Sequence, residues 1–209
     1  NLGIDRANAT VGNVLLGLSK AEESIIETSI DNLYILPSNL SLLRVEKQLL
    51  TNLDSRPDTK LAKGLNSIEH LFDFIIIDCS PYDNILVTNA LTFTDYVIVP
   101  IKLDKNSLEG YDYLLEKINT IKESNPQLDI LGILATMKRP TKLHDDILEG
   151  LKESRFKDLL FNTVIRININ VEEAPFMNLP ITKYMPSSSC GQDYKNVVDE
   201  IIVRIKGGK

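Results

Sequence analysis

The residues with the clearest chemical potential close the segment Phe-Asp-Phe-Ile-Ile-Ile-Asp-Cys-Ser-Pro, residues 72–81. A nearly unbroken apolar run ends there in one carboxylate, Asp78, followed by a turn. Such a run reads as a strand, Phe74 to Asp78, buried on both faces at the centre of a parallel sheet. Open α/β sheets bind ligands beyond the carboxyl ends of their strands, and a carboxylate in that position can hold Mg²⁺ through the ion's water shell. Asp78 could equally cap the turn or the helix after it, and this strand alone leaves both readings open. Cys79 beside it reads as a small core residue.

Other chemistry-bearing residues are sparse. His70 and His144 are the only histidines, and His144-Asp145-Asp146 has no second cluster at metal-ligand spacing. It reads as a solvated helix start. Ser187-Ser-Ser-Cys190 carries no nucleophile signature and reads as a loop before the final helix. Lys206-Gly-Gly-Lys209 lacks the spacing of a phosphate-binding loop, has no helix after it, and reads as a tail.

The elements that must position Asp78 alternate. Helical spacing falls on Thr10 to Leu18, Ser41 to Leu50, Leu61 to Leu71, Asn84 to Leu91, Ser107 to Glu123, Lys142 to Lys152 and Asp193 to Ile205. Strand signals fall on Leu33 to Leu36, Phe74 to Asp78, Tyr96 to Ile101, Leu128 to Thr136 and Leu159 to Ile165. Strands alternating with helices of this length predict an α/β fold, a doubly wound and mostly parallel sheet with helices on both faces. The last helix carries an apolar stripe of Val197, Val198, Ile201, Ile202 and Ile205. That stripe suits packing on the sheet or lying on a membrane surface, and the acids Asp199 and Glu200 favour the sheet.

With 209 residues, 43% hydrophobic and 25% charged, the chain suits one soluble domain, 1–209. No apolar run approaches the roughly 20 residues of a membrane span, and two cysteines make no disulfide framework. A cytoplasmic location is the expectation. The net charge of −6 argues against a wholly basic nucleic-acid coat but leaves room for a local basic patch.

The motifs, taken in order, resemble the ParA/Soj partition ATPases, in the deviant-Walker branch of P-loop proteins that also contains MinD. The matching segments are Asn1-Leu-Gly-Ile-Asp5, Asn32-Leu-Tyr-Ile-Leu-Pro-Ser-Asn39, Phe74-Ile-Ile-Ile-Asp-Cys-Ser-Pro81 as the Walker B segment, Asn89-Ala-Leu91, Ser107-Leu-Glu-Gly110, Leu131-Gly-Ile-Leu-Ala-Thr-Met137, Asn162-Thr-Val-Ile165, Glu173-Ala-Pro175 and Leu179-Pro-Ile181. They span nearly the whole chain, and their joint order carries the resemblance. The family's P-loop, with its Lys-Gly-Gly-x-Gly-Lys core, is expected about 30 to 40 residues before Asn1. These residues lack it, so as written they are expected to bind ATP or ADP poorly and to be inactive. The parent protein is expected to carry the P-loop on a strand beside Phe74 to Asp78. Without that strand the segment is expected to expose an edge and apolar surface.

The resemblance implies particular roles. Asp78 holds Mg²⁺ through water and is the catalytic-site acid on this chain. Thr136 and Met137 pack one side of the adenine, with Ile165, Arg166 and the loop to Pro175 on the other. It implies a homodimer around two ATP molecules, with Glu109 near the interface or simply solvated. It implies nonspecific DNA binding through Lys138, Arg139, Lys142 and Arg166. It also implies slow hydrolysis stimulated by a ParB-like centromere-binding partner, and a nucleoid-associated location without membrane binding. Four positions depart from the family pattern: Ser80 and Arg166 stand where it usually has proline, and Ile167 and Asn170 where it has arginine. A MinD-like membrane-associated ATPase and a non-enzymatic remnant without nucleotide binding are the rival readings.

Overall fold

The computed structural model describes residues 9–51 and 56–207, with backbone alone for 105–113. The stretch Asn1 to Asp5, the side chain of Glu109 and the last two residues of the tail lie outside the described residues. The chain divides into two compact units, one running to Asp95 and including Ile121–Leu128, the other holding Tyr96–Thr120 and the residues from Asp129 onward.

The first unit is mostly helical. Its helices are α1 (Val11–Leu15), α2 (Ala21–Ser24), α3 (Leu42–Thr51), α4 (Lys60–Leu65) and α5 (Ile85–Phe93), and β1 (Ile26–Glu27) pairs antiparallel with β2 (Tyr34–Ile35). One cluster built on Val14, Leu15, Val45, Leu49, Leu61 and Leu65 forms its core. Each such side chain, fully buried, contributes about 1.5–3 kcal/mol. Gly64 lets α4 approach α1, since a Cβ there would sit 2.5 Å from Val14 Cγ1. Asn84 starts α5 as its N-cap: Oδ1 accepts from the amides of Leu86 at 3.1 Å and Val87 at 3.0 Å. Asn89, only 1% exposed, is fully engaged. Its Oδ1 accepts from Leu61 N, and its Nδ2 donates to Pro57 O and Ile85 O. It thereby fixes the start of α4 against α5.

The expected strand Phe74 to Asp78 does not form. Its backbone is not assigned to a strand, and no ladder partner exists for it among the described residues. The period of two survives: Ile77 packs on the core cluster, while Phe74 is 61% and Ile76 92% exposed. The run is therefore covered on one face only. Cys79, expected in the core, is exposed. Both outcomes have one cause, because a strand without a hydrogen-bonded neighbour has neither a ladder nor a second layer to bury it. The helix expected over Leu61 to Leu71 is also shorter, ending at Leu65 with a separate 3₁₀ turn at Glu69–Leu71.

The second unit is a βαβ arrangement with a helical cover. Strand β3 (Tyr96–Lys102) leads through α6 (Lys105–Lys122) to β4 (Asp129–Thr136), which pairs parallel to it from Tyr96↔Asp129 to Lys102↔Thr136. Then come α7 (Lys142–Glu153), α8 (Asn170–Glu173), α9 (Ile181–Tyr184) and α10 (Ser189–Gly207). Val99, Ile101, Ile133 and Ala135 form a core cluster with Leu151 of α7. Leu131, Leu134 and Phe161 form another with Val197, Ile201 and Ile205 of α10. Val197, Ile201 and Ile205 of the expected stripe thus pack on the sheet, whereas Val198 is 52% exposed. No described helix is long and apolar enough to cross a membrane.

The expected strand Leu159 to Ile165 is broken into two bridges, Ile133↔Leu160 and Lys138↔Arg166, both parallel to the β4 direction. The interruption has a visible cause. The amides of Asn162 and Thr163 turn away and donate to Glu200 of α10, at 2.8 and 3.0 Å. Arg204, one turn on, donates to the carbonyls of Leu131, Leu159 and Leu160 at 3.0, 3.2 and 2.6 Å. Its guanidinium lies 4.2 Å from the Phe161 ring centre and pairs with Glu200 at 2.9 Å. A Cβ on Gly132 would fall 2.6 Å from Leu159 O and 2.7 Å from Arg204 Nη1. Two side chains of α10 therefore take backbone partners that a regular ladder would use.

Candidate nucleotide site

The carboxyl end of β4 is where the second unit concentrates its polar geometry. Thr136 Oγ1 donates to Ile101 O at 3.0 Å, tying the ends of the two strands together. Met137 follows with φ of 55° and is 44% exposed. A left-handed non-glycine residue costs energy, and such residues gather at ligand clamps and switch regions. The crossing segment closes on this corner. Ile165 N donates to Ala135 O at 2.9 Å, Lys138 N to Ile165 O at 3.0 Å, and Ile167 N to Lys138 O at 3.0 Å. Ile165 is buried at 4% exposure beneath. Thr136, Met137, Ile165 and Arg166 are thus brought together. Pro175 instead lines a groove with Val171, Leu179, Tyr194 and Val198, which Thr136, Met137, Ile165 and Arg166 do not line.

Arg166 is held rather than loose. Its Nε and Nη2 donate to the two carboxylate oxygens of Asp193 at 2.9 and 2.7 Å, and its own amide donates to Asp193 Oδ2 at 3.0 Å. Nη2 also reaches Ser189 O at 3.2 Å. The hydrogen bonds it donates to Asp193 push the guanidinium pKa above its ordinary value. Lys138 pairs with Asp145 at 2.7 Å. Arg139 is exposed, and its amide donates to His144 Nδ1 at 3.2 Å. Lys142 is exposed at the start of α7, whose N-cap is Thr141. His144 therefore lies in the first turn of α7, and no metal-binding cluster of His, Cys, Asp or Glu exists among the described residues. Asp78 lies in the other unit, exposed at the end of the extended run.

Sequence reasoning missed three residues here. Asp193 interrupts the apolar face of α10 between buried Cys190 and Val197, and that misplaced charge was the available signal. Glu200 and Arg204 stand off the apolar stripe of α10, and only the fold reveals their amide and carbonyl partners.

A parallel βαβ unit whose strand ends gather a strained residue and polar loops has the form of an α/β nucleotide-binding protein. The molecule has the α/β P-loop ATPase-like fold. It superposes on cobyrinic acid a,c-diamide synthase from Mycobacterium smegmatis with a TM-score of 0.82 at 25% identity, covering 100% of this chain and 78% of that one. The same enzyme with a bound ATP analogue and magnesium superposes at 0.77 with 26% identity. The cell division ATPase MinD from Pyrococcus furiosus superposes at 0.72 with 23% identity, covering 96% of this chain and 78% of that one.

A family model described as AAA domain, AAA_31, matches residues 1–130. The sporulation initiation inhibitor protein Soj of Bacillus subtilis is 31% identical over 204 residues, covering 96% of this chain and 79% of that protein. The chain belongs to the ParA/Soj/MinD-type partition ATPase family.

Proposed function

We propose that this chain is the greater part of a partition ATPase that binds ATP with Mg²⁺, dimerises around it, and binds DNA without sequence preference until slow hydrolysis releases it. A ParB-like centromere-binding partner stimulates that hydrolysis, and the cargo is a plasmid or a chromosomal locus at the nucleoid. The observation that carries the nucleotide reading is the left-handed, half-exposed Met137 at the carboxyl end of β4, fastened to the segment containing Ile165 and Arg166. A flat apolar base suits a soft thioether on one side and a fixed guanidinium plane on the other. ATP and Mg²⁺ supply the phosphoryl chemistry when bound.

This chain's own residues have narrower tasks. Asp78, exposed beyond its apolar run, would accept hydrogen bonds from the water shell of Mg²⁺. Met137 and Arg166 hold the base, with Ile165 buried beneath them. Thr136 keeps the strand ends in register through Ile101. In the family the phosphate cradle and the acid that positions water come from the P-loop and its strand, which the parent protein would have to supply. That strand is the natural neighbour for the open backbone of Phe74 to Asp78. Arg139 and Lys142 supply the DNA contacts, with Lys138 shared between DNA and Asp145.

The test is sedimentation of the natural full-length protein with random-sequence duplex DNA, with and without ATP and Mg²⁺. ATP-dependent binding is expected, weakened by Arg139→Ala and Lys142→Ala alike on every DNA sequence. Binding that ignores ATP, or is absent at low salt, refutes the proposal.

A further inference from the structure

Arg166 stands among two sets of candidate residues, those for the base and those for DNA, and its surroundings separate the two roles. Asp193 is 5% exposed and projects from the first turns of α10. It accepts three hydrogen bonds, all from Arg166: the backbone amide, Nε and Nη2. Ser189 adds a carbonyl acceptor for Nη2, and its Oγ accepts from Asn168 Nδ2 at 3.0 Å. The backbone between those residues is stitched to the turn after β4 through Lys138. A two-pronged carboxylate fixes the plane of a guanidinium as well as its position. Of the side-chain nitrogens, Nη1 alone has no hydrogen-bond partner among the described residues, and the Arg166 side chain remains 51% exposed.

We propose that Asp193 is a positioning residue for the nucleotide base: it locks Arg166 as a fixed planar wall facing the Met137 turn and withdraws Arg166 from DNA binding. This rests on the nucleotide reading above. Two consequences follow from the pair's chemistry. A guanidinium held at Nε and Nη2 offers a purine its face and its Nη1 edge, with little mobility left to lose on binding. A cation neutralised by a carboxylate at 2.7 Å releases few counterions from DNA, so it adds little to salt-dependent affinity. The ammonium of lysine cannot reproduce either property, because it lacks the planar fork.

The experiment uses the natural full-length protein, with Asp193→Asn and Arg166→Lys as variants and a fluorescent ADP analogue with Mg²⁺ as the probe. Three quantities are read: the analogue's Kd, backbone amide exchange at Lys138, Arg166 and Ile167, and the salt dependence of DNA binding. Both variants are expected to weaken the analogue about tenfold, which corresponds to about 1.4 kcal/mol. Exchange at the three amides is expected to quicken in Asp193→Asn, the melting temperature to stay within a few degrees, and the DNA salt slope to stay unchanged in Arg166→Lys. Arg166→Lys, at an exposed position, carries the test if Asp193→Asn fails to fold. Wild type that binds no analogue refutes the nucleotide reading and this inference with it. Wild type that binds, with both variants equally tight or with amide exchange unchanged, overturns the inference alone. An Arg166→Ala variant that lowers the DNA salt slope by about one also overturns it.

Discussion

Arg204→Met tests the packing of α10 most sharply, because methionine keeps an apolar stem and removes the guanidinium together with its contact to the Phe161 ring. In the wild type that group donates to Leu131 O, Leu159 O and Leu160 O and pairs with Glu200. Both side chains are largely shielded, at 20% and 13% exposure. Removing one partner of a shielded ion pair costs about 3–5 kcal/mol, since the remaining charge and the carbonyls lose their partners. At about 2–4 °C per kcal/mol for a chain of this size, the melting temperature should fall by about 6–20 °C. The assay is calorimetric or circular-dichroism melting at pH 7. Glu200→Gln combined with Arg204→Met should lose clearly less than the sum of the single losses, because the pair acts as one unit. A single-variant drop under about 2 °C, or strict additivity, would refute the role given to Glu200 and Arg204 in holding this corner.

Further outcomes follow from the same geometry. Burial of Glu200 works to raise its pKa, but hydrogen bonds from the Asn162 and Thr163 amides and from Arg204 outweigh it and leave the carboxyl below its ordinary 4.5. Its stabilising contribution is therefore complete above about pH 4.5 and disappears as pH falls through the lower folded value, so Glu200→Gln should flatten that acid limb in melting scans. Gly132→Ala should destabilise by about 1–3 kcal/mol, since its Cβ meets a backbone carbonyl that cannot yield; urea midpoints measure this. Asn89→Ala leaves Leu61 N without its acceptor and removes the side-chain bonds to Pro57 O and Ile85 O, and a loss of about 1–3 kcal/mol should appear in the same urea assay.

Much of this fold is readable from local pattern. Strands β3 and β4 and helices α5, α6 and α7 fall within a few residues of their apolar periodicity, because each is bounded by strong local signals such as Asn84 and Thr141. What the pattern could not supply is pairing. Phe74 to Asp78 has the composition of a central strand yet lacks a neighbour, and Leu159 to Ile165 has a neighbour yet loses the ladder to Glu200. The candidate site divides in the same way. Met137 and Ile165 lie in segments that match family motifs and Arg166 directly follows one, whereas Asp193 acts across 27 residues of sequence and appears only once α10 is docked. Arg166, read as a candidate for both base and DNA contact, is constrained by a carboxylate that no local motif announced.

The most direct test of the nucleotide reading is calorimetric titration of the natural full-length protein with ATP in the presence and absence of Mg²⁺. Saturable, Mg²⁺-dependent binding is expected, with the Mg²⁺ dependence reduced in Asp78→Asn. Wild-type protein that is folded by circular dichroism and gives no binding heat at any Mg²⁺ concentration, and no displacement of a fluorescent ADP analogue, would contradict it.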